Sequence, residues 1–106
     1  MTLEQRIARL EALESIRQLK HSYLNACDLK QVEVIRDCFA EGPILIDYGP
    51  IGTFHERDSF VALYQELACH ARVIDLHHGS NPEIDLLGED EAVARWALCY
   101  FNLDGE

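Results

Sequence analysis

The sequence predicts an α+β fold, in which long opening helices pack on a curved antiparallel sheet and enclose a pocket. Three observations carry this. Apolar residues recur every three or four positions through the first third of the 106-residue chain. Near its end they alternate at every second position, and no repeat, linker or low-complexity stretch separates the two patterns. Residues 1–106 are therefore expected to form a single domain.

The elements follow in order. Leu3, Ile7, Leu10, Leu13, Ile16, Leu19, Tyr23 and Cys27 form one apolar helical stripe, so a helix is expected from Leu3 to Ala26. Thr2 followed by Gln5 has the spacing of a capping box. A short second helix turns Val32, Ile35, Cys38 and Phe39 inward and stops at Gly42-Pro43. Ile44 to Tyr48 reads as a strand closed by Gly49-Pro50, with a turn or brief second strand around Ile51 to Phe54. A third helix is expected from Glu56 to His70, with Phe60, Leu63, Tyr64 and Leu67 on its inner face.

Arg72 to Glu83 is strand-like, and Gly79-Ser80-Asn81-Pro82 interrupts it, because proline has no N–H to give a ladder. Ile84 to Leu87 resumes the strand up to a turn at Gly88-Glu89-Asp90. From Ala92 to Leu103 a long strand puts Ala94, Trp96, Leu98, Tyr100 and Asn102 on one face and Arg95, Ala97, Cys99 and Phe101 on the other.

Composition narrows the function. Nineteen acidic against nine basic residues leave a net charge of −10, and the Lys and Arg do not cluster. That balance argues against nucleic acid and anionic membranes as partners, and it leaves neutral small molecules open. The N-terminus lacks the layout of a signal peptide, and no apolar run approaches the ~20 residues of a membrane span. Cys27, Cys38, Cys69 and Cys99 include no CxxC pair, so buried reduced thiols are expected rather than a zinc site, and the cytoplasm is the expected location. A domain this small buries only about 60–70% of its unfolded surface, so a homodimer or larger homo-oligomer is expected.

Several motifs stand in a recognisable order: Ile16-Arg17-Gln18-Leu19-Lys20-His21-Ser22-Tyr23 leading to Asp28; Cys38-Phe39-Ala40-Glu41; Ile46-Asp47-Tyr48-Gly49; Arg57-Asp58-Ser59-Phe60; His77-His78-Gly79-Ser80-Asn81-Pro82-Glu83-Ile84; and Gly88 to Trp96. Together with the order of the elements, they resemble the SnoaL-like branch of the nuclear-transport-factor-two-like superfamily, which includes polyketide cyclases, scytalone dehydratase, bile-acid dehydratase and ketosteroid isomerase. The resemblance implies a cone-shaped antiparallel sheet wrapped around the N-terminal helices, the cystatin-like α+β roll. It also implies a lyase or isomerase of dehydratase or cyclase type, acting without a cofactor on a neutral carbonyl-bearing ring compound. Members of that family usually continue past the position of Glu106. The stretch Leu103-Asp104-Gly105-Glu106 looks like the start of a turn, so the last strands are expected to be missing or supplied by a partner subunit. Two other functions stay open at this point: a small-molecule binding module without catalysis, and a structural subunit of a larger assembly.

By resemblance to the dehydratases, Tyr23, Asp28 and His77 converge in the cavity. The residue types suit acid–base chemistry, since imidazole titrates near neutrality and could take a proton next to a carbonyl. A carboxylate would hold the imidazole in one tautomer, and a phenol would donate to the developing enolate oxygen. Each also has a plainer reading, Tyr23 as a core aromatic and Asp28 as the cap of the second helix. Residues five apart on a continuous helix diverge by ~140°, so the two are expected to share a pocket only if the helix breaks around Ala26 to Leu29.

His77 and His78 face opposite sides of a strand, and the family pattern selects His77. Asn102 resembles a polar position on the neighbouring strand, where an amide could orient substrate but not exchange protons. Asp47 and Tyr48 are further expected pocket residues, with a strand-end role as the plainer reading of Asp47. Trp96, Phe54, Phe60 and Tyr64 would be apolar walls, with plain core as the stronger reading. No third ligand stands near the histidine pair, so no metal is expected.

Overall fold

A computed structural model describes residues 1–105. The order of elements is α1 (Leu3–Leu29), α2 (Val32–Asp37), β1 (Ile46–Asp47), a 3₁₀ turn (Gly49–Ile51), β2 (Thr53–Phe54), α3 (Arg57–Ala68), β3 (Val73–Leu86) and β4 (Ala92–Asp104). The α+β class holds, with helices first and antiparallel strands after. The strands form two two-stranded sheets, β1–β2 and β3–β4.

Helix α1 starts as its sequence directs. The Thr2 hydroxyl accepts from the Gln5 N–H at 3.1 Å, and the Gln5 amide oxygen accepts from the Thr2 N–H at 2.8 Å, a reciprocal capping box. Its end corrects the expected one. The helix runs three residues beyond Ala26 and stops at Lys30, which takes a left-handed φ of 57° and sends its N–H to the Ala26 carbonyl. Leu24, Ala26 and Cys27 are buried, whereas Leu3, Ile7 and Leu10 at the other end of the helix remain exposed.

Helix α2 buries Ile35 completely. Its last carbonyls need donors, and the Arg57 guanidinium supplies one, donating to Arg36 O at 3.3 Å as well as to Phe39 O just past the helix at 3.2 Å. The β1–β2 hairpin pairs Ile46 with Phe54, so the expected strand over Ile44 to Tyr48 shrinks to two residues and the brief second strand is present. Helix α3 begins one residue later than expected, because Glu56 is its cap: the carboxylate accepts from the Ser59 N–H at 3.1 Å, which holds Glu56 below the ordinary carboxylate value. The helix ends at Ala68, two residues short of His70.

Strands β3 and β4 form a long ribbon with one register shift between Ser80 and Glu83. Asn81 sits there at φ 52°, so the Asn81-Pro82 interruption is a β-bulge within one strand and not a break between two. Asp104 still belongs to β4 and pairs with Val73, which replaces the turn expected over Leu103 to Glu106; Glu106 itself lies outside the described residues.

The core lies where the end of α1 meets α2, α3 and the hairpin. Ala26, Cys27, Ile35, Phe60 and Val61 are buried together, with Tyr23, Phe39, Phe54 and Tyr64 packed around them. Phe60 is the centre of an aromatic group, 5.5 Å from the rings of Phe39, Tyr48 and Phe54. Among the described residues no helix is long and apolar enough to cross a membrane.

Candidate functional site

Strand β3 presents Asp75, His77 and Gly79 on the face turned to α1, since side chains two apart share a face. A methyl group at Gly79 would stand 2.8 Å from Leu24 of α1, so a residue without Cβ is what lets strand and helix approach here. That approach brings the end of α1 alongside His77. The Asp28 carboxylate accepts from the His77 backbone N–H at 3.0 Å through one oxygen and meets the imidazole Nδ1 at 2.6 Å through the other. Both side chains are largely buried, 15% and 14% exposed. With the carboxylate as acceptor, Nδ1 carries the hydrogen and the lone pair resides on Nε2.

Nε2 has no hydrogen bond among the described residues. No side-chain polar atom there is both buried and unpartnered, so Nε2 reaches open space. The His77 side chain also lines a cavity of about 140 Å³, together with Asp75, Tyr100, Tyr23, Cys27 and Tyr48, and with Phe60, Leu63, Tyr64 and Leu67 as apolar walls. His78 points the other way and is exposed.

The helix does not break between Tyr23 and Asp28, which corrects the expectation that it must. Tyr23 and Cys27, four apart, face the cavity from one side of α1. Asp28 sits about 100° further round and meets His77 from behind. The imidazole spans the gap that a helix break was expected to close. Asp28 is also not the cap of α2; Gln31 occupies that position.

The phenols are strongly perturbed. Burial pushes Tyr23 far above the ordinary phenol value, with the Cys27 thiol and the Tyr48 hydroxyl as polar neighbours that push the same way. Tyr48 is also raised by burial. Both therefore stay protonated and can donate. Cys27 is pushed up to about 11, again by burial, so it remains a neutral thiol.

The other expected site residues separate. Tyr48 lines this cavity and also an adjoining one of about 320 Å³, where Trp96, Phe39, Leu19 and Ile16 form the walls and Lys20 stands beside them. Trp96 thus belongs to the second space. Phe54 lines neither; it packs on Phe60 as core. Asp47 is tied to the hairpin turn, accepting from the Gly49 N–H at 3.0 Å. Asn102 does not line the cavity; it donates to Asp75 at 2.7 Å.

Sequence reasoning missed Asp75. It is 8% exposed, lines the cavity, and accepts from Asn102 and from the Tyr100 hydroxyl at 2.9 Å. The signal was present: an acid two positions before His77 shares its face, opposite the Tyr100 and Asn102 face of β4. Tyr100 stacks on His77 with ring centres 4.6 Å apart. Burial, and then its bond to Asp75, push this phenol up to about 12. Among the described residues no three His, Cys, Asp or Glu side chains gather as a metal ion would require.

Comparison with known proteins gives a consistent family. The model of the SnoaL-like domain matches residues 8–106. A crystal structure of a candidate scytalone dehydratase from Novosphingobium aromaticivorans superposes with a TM-score of 0.85 at 22% identity, covering 95% of this chain. The chain spans 66% of that protein's length. No functionally curated protein matches the chain.

Proposed function

The chain belongs to the SnoaL-like family, and from that premise we propose that it is a lyase or isomerase of dehydratase or cyclase type, acting by acid–base chemistry on a neutral ring compound that carries a carbonyl. The observation that carries this reading is the 2.6 Å contact of Asp28 with His77 Nδ1, which directs the Nε2 lone pair to accessible space beside the cavity. Nε2 takes the proton next to the carbonyl, and the bond pair moves toward the carbonyl oxygen. Asp28 stabilises the imidazolium that forms. Tyr23, with Tyr48 beside it, donates to the enolate oxygen, a role that suits phenols which burial keeps protonated. In a dehydration the electron pair then returns, the C–O bond of a β-hydroxyl breaks, and the imidazolium proton leaves with it as water. The reading includes a single-domain cytoplasmic protein that works as a homodimer, which analytical ultracentrifugation would test.

A bicyclic β-hydroxy ketone whose dehydration gives a naphthol chromophore tests the chemistry. His77→Ala and Asp28→Asn are each expected to slow its turnover by about 10²–10⁴-fold. Unchanged turnover in both variants ends the mechanism.

A further inference from the structure

We propose that Asp75 binds the substrate through a hydroxyl group, so that the pocket takes hydroxy-carbonyl compounds in preference to simple ketones, diketones or carboxylic acids. This rests on the reading of the cavity as an acid–base site and adds the substrate class to it.

A carboxylate that is 92% buried, from its 8% exposure, must be bonded to be tolerated. Asp75 is bonded unevenly. Its Oδ1 takes both the Tyr100 hydroxyl at 2.9 Å and the Asn102 amide at 2.7 Å. Its Oδ2 takes no hydrogen bond among the described residues. As no side-chain polar atom there is buried without a partner, Oδ2 keeps access to open space. The space that Asp75 lines is the cavity it shares with His77. Two donors fix Oδ1 and so aim Oδ2. Both bonds the carboxyl makes are accepted ones, so the complement of the remaining oxygen is a donor.

The placement agrees. Asp75 and His77 are two residues apart on one face of β3, roughly 6–7 Å along the strand. That spacing sets the two side chains next to each other on the wall of one cavity. A ring whose reacting carbon meets Nε2 therefore presents its substituent to Asp75, while Tyr23 and Tyr48 offer donors to a carbonyl oxygen. Apart from the Nε2 base, the cavity thus pairs one acceptor with two donors, which matches a molecule with one hydroxyl and one carbonyl. Anionic ligands are disfavoured, because Asp75 and Asp28 both stand near it in a chain of net charge −10.

The test measures binding, apart from turnover. A cyclohexanone bearing a hydroxyl across the ring is compared with the cyclohexanedione that has a carbonyl in its place, by calorimetry, on wild type and Asp75→Asn. Wild type is expected to bind the hydroxy-ketone about tenfold or more tightly. Asp75→Asn keeps an oxygen for Tyr100 and Asn102 and turns an NH₂ to the cavity, so the preference should vanish or invert toward the dione. Equal affinity of wild type for both rings, binding of neither, or an equal loss of both in Asp75→Asn overturns the proposal, the last marking a purely structural carboxylate. A wild type that keeps the hydroxyl preference yet dehydrates no hydroxy-ketone sinks the lyase reading and leaves this one standing.

Discussion

Replacing Asp28 by Asn separates what this side chain does for the fold from what it does for the imidazole. Asp28 accepts two hydrogen bonds from one residue, the His77 N–H at 3.0 Å and Nδ1–H at 2.6 Å. An Asn of the same shape has only one acceptor oxygen. The backbone N–H cannot change its role, whereas the imidazole can change tautomer. The amide oxygen therefore stays on the backbone, and its NH₂ group donates to Nδ1. The hydrogen moves to Nε2, and the lone pair facing the cavity is lost. In energy, one charge-assisted bond of roughly 1.5–3 kcal/mol becomes a neutral one of roughly 0.5–1.5 kcal/mol. The net loss of about 1–2 kcal/mol corresponds to a fall in Tm of about 4–8 °C for each kcal/mol. Nitrogen-detected NMR of the His77 ring would show Nδ1–H in wild type and Nε2–H in the variant, at a pH where the ring is neutral. Turnover should fall by about 10²–10⁴-fold while the fold persists. An imidazole that keeps its hydrogen on Nδ1 in the variant would refute the account of how Asp28 acts.

Other consequences follow from single contacts. Tyr64 donates to the Cys27 carbonyl at 2.6 Å, one of the last four of α1 that lack a helical partner, so Tyr64→Phe should cost about 1 kcal/mol in urea unfolding. Gly79→Ala drives a methyl group to 2.8 Å from buried Leu24, and thermal melts should show a loss of roughly 1–3 kcal/mol. Alkali should destabilise the fold. Cys27 is raised from 9.0 to about 11 and Tyr100 from 10.0 to about 12, so between these values the unfolded chain has lost protons that the folded chain keeps. Stability from these groups is whole below pH 9, falls as pH rises through 11 and 12, and Cys27→Ala should flatten the first part of that fall. At pH 8 a thiol reagent should label exposed Cys99 well before Cys27.

Local physics was legible in the chain itself. The 3.6-residue stripe from Leu3 to Cys27, the Thr2–Gln5 cap and the two-residue alternation of β4 each depend on neighbours within a few positions. Their elements appear where the spacing puts them, with ends shifted by a few residues. Proline at 82 announced an irregularity but not its kind, since a bulge and a break look alike until a partner strand is present. The same alternation placed Asp75 and His77 on one face, yet an acid on a strand is ordinarily solvated, and its burial became visible only once α1 covered that face.

What tertiary structure alone decided is the meeting of Asp28 and His77, 49 positions apart. Helical period states the angle of Asp28 relative to Tyr23 but not which strand crosses the end of the helix, or how near. That distance was settled by Gly79 against Leu24, by the C-terminal extension of α1 to Leu29, and by an imidazole long enough to join a carboxylate on one side to a cavity on the other. A direction along one element follows from bond geometry; a contact between two elements follows from how both are packed.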